Sequence, residues 1–136
     1  MEKIYVCSQY GTRGNKETNL ELAKAFCMAV IEEGNIPICP HLFYSQVLND
    51  DVESQREDGL RIGLELLKDC SELRIFTGIS EGMREEIKLA VRLGIPVAIG
   101  GMVHKQEDEI LGDLSEIWGE VMEEQGNGKE HHSEEN

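Results

Sequence analysis

The chain has 136 residues and a formal net charge of -14 at pH 7. That length suits one compact domain and leaves little for a second. The acidic balance excludes a nucleic-acid-binding surface, which needs clustered Lys and Arg, but not a mononucleotide, which asks only for a few local donors.

No apolar run reaches the roughly 20 residues of a membrane span, so no membrane partner is expected. Met1-Glu2-Lys3 leads into a strand pattern without an apolar leader, and a cytoplasmic protein is expected. Cys7, Cys27, Cys39 and Cys70 lie singly inside apolar patterns. Without Cys-x-x-Cys spacing or a neighbouring histidine set they read as reduced core thiols, with no metal site and no cofactor.

Ile4-Tyr5-Val6-Cys7 reads as a strand that stops at Ser8, and the turn-rich Tyr10–Asn15 follows. Helical spacing begins at Thr18, with Leu22, Ala25, Phe26, Ala29 and Val30 on one stripe, and closes at Gly34. Ile36-Pro37-Ile38-Cys39 reads as a second strand, and its proline predicts an edge position, where a missing N–H donor does least harm. It ends at Pro40-His41. Leu42 to Asp51 then reads as a long loop carrying Phe43, Tyr44 and Val47, more apolar surface than a free solvent loop usually holds, which fits a lid or an interface.

A second helix is predicted from about Val52 to Cys70, with Leu60, Leu64 and Leu67 facing the sheet and Ile62 as a further candidate. Leu73-Arg74-Ile75-Phe76 follows as the third strand, a helix from about Gly82 to Leu93 stops at Gly94, and Ile95–Ile99 forms the fourth strand. A last helix, about Lys105 to Met122, is expected to bury Ile110, Leu111, Leu114, Ile117 and Trp118. The alternation implies a flavodoxin-like three-layer α/β/α fold, with a parallel sheet of four to five strands in the order 2-1-3-4. Residues 1–119 are expected to form the single domain and 120–136 an acidic disordered tail, too poor in apolar residues to offset its ordering entropy.

The segment Thr77 to Val97 carries the most chemical information. A strand leads into a Ser80-Glu81-Gly82 turn, and a helix rich in carboxylates begins there. In open α/β sheets ligands settle outside the carboxyl ends of the strands, where helix N-termini point. Ser80-Glu81-Gly82-Met83-Arg84-Glu85-Glu86-Ile87, followed by a Gly-x-Pro-Val strand, resembles the nucleoside 2-deoxyribosyltransferase superfamily, and in pattern its deoxynucleoside 5′-monophosphate N-glycosidases. The resemblance covers about residues 3 to 99. It is more specific to an uncharacterised phage and bacterial branch, through the Pro-His-Leu-Phe segment and the Ser-Glu-Gly-Met turn.

The resemblance implies a nucleoside or nucleotide N-glycosidase or deoxyribosyltransferase that acts through a glutamate nucleophile, takes a small nucleoside or nucleotide and assembles as a homodimer or larger homo-oligomer. Glu86 matches the nucleophile, Tyr5 a tyrosine beside it and Ser80 a serine that binds the 5′-phosphate. His41 is a candidate for the acid/base role, and Ser8, Gly11, Arg13, Gly82 and Met83 are candidate substrate-binding residues, with Lys16 as a further nearby cation. One family feature is missing. Relatives carry an aspartate in the helix before the third strand, and the matching place here is Gly63-Leu64.

Simpler readings stand beside these. Glu86 is also one of several glutamates on a charged helix, Ser80 also an N-cap, His41 also a turn residue and Tyr5 also a core tyrosine. Gly11-Thr12-Arg13-Gly14 offers backbone N–H groups to a phosphate but falls short of the dinucleotide fingerprint and of the P-loop. Three functions therefore compete: the enzyme, a catalytically inactive nucleotide-binding protein that senses or sequesters its ligand, and an interaction protein using the apolar Leu42–Leu48 loop.

Overall fold

A computed structural model describes residues 1–9, 16–101 and 107–135, with side chains through 126. Four short strands, β1 (Lys3–Cys7), β2 (Ile36–Ile38), β3 (Glu72–Ile75) and β4 (Val97–Ile99), pair in parallel in the order β2-β1-β3-β4. Helices α1 (Lys16–Glu32), α2 (Pro40–Tyr44), α3 (Glu53–Leu67), α4 (Glu81–Leu93) and α5 (Glu107–Glu135) flank the sheet, which makes the fold flavodoxin-like, as the alternation predicts. Pro37 lies on the edge strand β2, where its missing N–H does least damage.

Strand alternation divides the core in two. Tyr5, Cys7, Leu73 and Ile75 face Leu67 of α3, Met83, Ile87 and Ala90 of α4, and Ile110 and Ile117 of α5. Ile4, Val6 and Phe76 face Phe26, Cys27 and Val30 of α1. On that second face the Phe26 and Phe76 rings stack at 4.7 Å with planes 13° apart. A Cβ at Gly100 would stand 2.5 Å from the Phe76 ring, so only glycine fits there without displacing it.

The structure corrects several local expectations. The buried stripe of α1 is Ala23, Phe26, Cys27 and Val30, while Leu22 is 41% exposed. Apolar residues cover most of the circumference of this helix, so periodicity alone does not choose its inward face. The second strand ends earlier than expected, and Pro40 takes the first position of α2, where its fixed φ suits a helix start. The expected long loop is thus partly helical.

In α3 the inward residues are Gly63 and Leu67, with Leu60 turned outward. The missing side chain at Gly63 lets the helix approach Tyr5. α5 buries Ile110, Ile117 and Val121, with Leu114 packed against the core, whereas Leu111 and Trp118 are exposed. It packs chiefly along α4, and helix on helix needs only a narrow seam. The expected boundary between residues 119 and 120 falls inside α5. Among the described residues no helix is long and apolar enough to cross a membrane.

Candidate active site

β1 ends beneath the start of α4, and this junction assembles the site. Ser80 caps α4, its Oγ accepting from the Met83 N–H at 3.4 Å, and Gly94 closes the helix at a φ of 72°. Met83, Glu86, Ile87 and Ala90 form its buried stripe. Three of these four are the hydrophobic or small residues an inward face calls for, and Glu86 is not.

Glu86 is 5% exposed, and its Oε2 accepts from Cys7 Sγ at 3.3 Å. Burial pushes its pKa up to about 7, with Cys7 and then Tyr5 pulling it back down less strongly. Burial likewise holds the Tyr5 phenol and the Cys7 thiol well above their ordinary ranges, and the Glu86 charge adds to both. The Tyr5 hydroxyl is close enough to influence this carboxylate, yet it lacks hydrogen-bond geometry to any described residue, as does Ser8 Oγ.

These groups open into a cavity of about 660 Å³, within the range of small-molecule sites. Tyr5, Ser8 and Glu86 line its buried end; Pro40, His41 and Tyr44 of α2 and Gly63 of α3 line one side, and Ser80, Gly82 and Met83 another. Burial pushes the His41 pKa down to about 4, opposed by the Asp50 carboxylate, so the imidazole is neutral at neutral pH. A buried carboxylate half ionised near neutrality, with a thiol on one oxygen, can serve as nucleophile or base.

Glu86, Tyr5, His41, Ser8, Ser80, Gly82 and Met83 thus come together around one cavity. Met83 is 2% exposed, and its sulfur accepts from the Ser80 N–H at 3.4 Å, so most of it belongs to the core and the cap. Gly11 and Arg13 lie outside the described residues. Lys16 lies 4.0 Å from Asp50, another residue lining the cavity. Sequence reasoning missed Cys7 as a partner of Glu86, although its strand position, two residues from Tyr5, places it on the same face. It also missed Asp50 and Arg56, which the loop and the start of α3 bring to the cavity, and had Tyr44, at the end of α2, only as part of a lid or interface segment.

The arrangement is that of a flavodoxin-like domain with a carboxylate-bearing cavity at the carboxyl edge of its sheet. Residues 2–99 match the family described as a domain of unknown function, DUF7768, and the chain belongs to that family. No curated protein matches the chain. Among solved structures, a 2-deoxyribosyltransferase from the psychrotolerant bacterium Bacillus psychrosaccharolyticus is similar at 19% identity, over 71% of this chain and 70% of that one, with a TM-score of 0.49.

Proposed function

We propose that this protein cleaves or transfers the N-glycosidic bond of a nucleoside or nucleotide, with Glu86 as the nucleophile. The observation that carries the reading is the buried Glu86 carboxylate, alone in an apolar stripe and opening on a cavity large enough for a nucleoside. The resemblance of the Ser80–Ile87 segment to the nucleoside 2-deoxyribosyltransferase superfamily points the same way.

Departure of the base leaves an oxocarbenium-like sugar, which a carboxylate beneath the ring stabilises and captures. Cys7 occupies Oε2 and leaves Oε1 for the anomeric carbon. Tyr5, next to the carboxylate, orients it and the sugar, while Ser8 and the turn at Ser80 and Gly82 supply hydrogen bonds to the rest of the ligand. Neutral His41 both donates and accepts, at the cavity side formed by α2. Water or a second base then resolves the glycosyl ester. By the same resemblance the protein is a homo-oligomer, which sedimentation velocity tests.

One observation favours a second reading, a nucleotide-binding protein without turnover. Gly63 lines the cavity where the resembled enzymes carry an aspartate, and glycine transfers no proton. Chromatography of free base, after incubation with a panel of nucleosides and their 5′-monophosphates, separates the two. The enzyme reading expects release by wild type and a drop of about a thousandfold in Glu86→Gln. Thermal stabilisation by a ligand, with no base released from any compound, would establish the binding reading instead.

A further inference from the structure

Among the described residues that line the cavity the charge is one-sided, with Lys16 standing 4.0 Å from Asp50 at its margin. Asp50, Glu57, Glu81, Glu85 and Glu86 line it, and among the described residues Arg56 is the permanent cation that does so. The start of α4 is ordinarily a seat for anions, but here its charged side chains are sorted against that use. Glu81 and Glu85 line the cavity, while Arg84 and Lys88 turn to α5 and pair with Glu120 at 3.0 Å each. A ligand phosphate at this end would meet two carboxylates instead of two cations.

The buried end of the cavity offers polar groups that a ligand can complete. Tyr5 Oη, fully buried, and Ser8 Oγ, 1% exposed, line it without a hydrogen-bond partner among the described residues. Desolvated hydroxyls of this kind gain most from a ligand that completes them. A metal ion is a poor match for the same field, because no three His, Cys, Asp or Glu side chains of the described residues converge as a metal site requires.

The neighbours of Glu86, Tyr5 and Cys7, and the lining residues His41 and Gly63 also limit the leaving group. Tyr5 and Cys7 hold their protons tightly, His41 is neutral at neutral pH and its remaining ring N–H is a very weak acid, and Gly63 contributes no side chain. An ordinary nucleobase leaves as an anion unless it is protonated.

Resting on the N-glycosidase reading, the geometry points to a substrate class: a nucleoside without a 5′-phosphate whose base already carries a positive charge, as an N7-alkylated purine or an N-ribosylated pyridinium does. Glu86 Oε1 forms a bond to C1′ as the C1′–N bond breaks. The bonding pair moves onto the ring nitrogen and neutralises the base, so no proton is needed at departure. Water then adds to C1′, the ester C–O bond breaks, the carboxylate is regenerated and one proton passes to solvent. Before the reaction, the carboxylates and the Tyr44 ring, which also lines the cavity, hold the cation.

The test is chromatographic base release by the full chain at neutral pH from 7-methylguanosine, guanosine, and 7-methylguanosine 5′-monophosphate, with Glu81→Gln/Glu85→Gln alongside wild type. The expected result is a kcat/KM for 7-methylguanosine at least about tenfold above either other compound. In the double variant, KM for 7-methylguanosine rises several-fold and KM for its monophosphate falls. Turnover of guanosine or of the monophosphate at an equal or higher rate, dependent on Glu86, overturns this inference and leaves the glycosidase reading standing. Monophosphate turnover lost in Arg56→Ala would identify a phosphate seat and overturn it equally. No release from any of the three compounds overturns the inference, and the wider nucleoside panel then decides the glycosidase reading separately.

Discussion

The two faces of the sheet share four strands and little else. On the α1 face, Ile4, Val6, Phe26, Cys27, Val30 and Phe76 make a core without a buried carboxylate or phenol, with one pair of stacked rings. Its charged neighbour Arg74 is matched at 2.6 Å by Glu72 and at 2.7 Å by Glu33. On the α3 and α4 face the same strand β1 presents a phenol and a thiol, and α4 answers with a carboxylate. Two hydroxyls, those of Tyr5 and Ser8, lie buried at its carboxyl end without partners among the described residues. Apolar packing serves stability directly, whereas desolvated polar groups oppose it until a ligand arrives. The first face is a small apolar cluster, whereas the second sets desolvated polar groups into the larger apolar core.

That contrast predicts opposite responses to substitution. Truncation on the dry face should have the largest effect: Phe26→Ala removes a ring stacked in a buried cluster and is expected to cost about 3–5 kcal/mol. Urea denaturation measures it, and at a temperature where the variant is folded its KM should match wild type. A cost below about 1 kcal/mol would mean that this cluster contributes little to stability.

On the other face, removal of a charge should stabilise. Glu86 has a pKa raised by burial from 4.5 to about 7, so across that window the folded state keeps a proton that the unfolded state releases. Stability contributed by this group is therefore present below 4.5 and is lost as pH rises to about 7, by roughly 3 kcal/mol in all. Glu86→Gln should lack that loss, gaining on wild type between these pH values while losing activity. Denaturation of both proteins at the two ends of the window reads the difference, and parallel pH profiles would refute the buried, destabilising carboxylate.

The smallest effect concerns fit. Gly100→Ala, with its Cβ forced against Phe76, is expected to cost about 1–3 kcal/mol through overpacking. On the other face, Gly63→Ala meets Tyr5 Oη at 3.0 Å and Pro40 Cγ at an ordinary 3.9 Å, and gains helix propensity. A larger melting-temperature loss for Gly100→Ala than for Gly63→Ala would confirm the ranking; the reverse order would place the tighter packing at the site.

How far the sequence reaches depends on the range of the force involved. The strand order, the parallel sheet, the four longer helices, the edge placement of Pro37 and the ends of α4 at Ser80 and Gly94 follow from nearest-neighbour sterics, capping and periodicity and were legible, whereas the short α2 was read as loop. Glu86 was legible as a candidate because a motif marks it, not because its spacing predicts burial. The inward faces of α1 and α5 were misjudged at Leu22, Leu111 and Trp118, since both helices offer more apolar residues than one seam can take. Which of them turn inward depends on what each helix packs against.

By itself the sequence determined the layered α/β order and the turn that opens the site. Only tertiary structure brought Cys7 to Glu86 across 79 residues, set Gly63 against Tyr5 and turned Arg84 and Lys88 away from the cavity. Local rules act along the chain, whereas a carboxylate's desolvation, its partner and its pKa are properties of every atom that folding crowds around it.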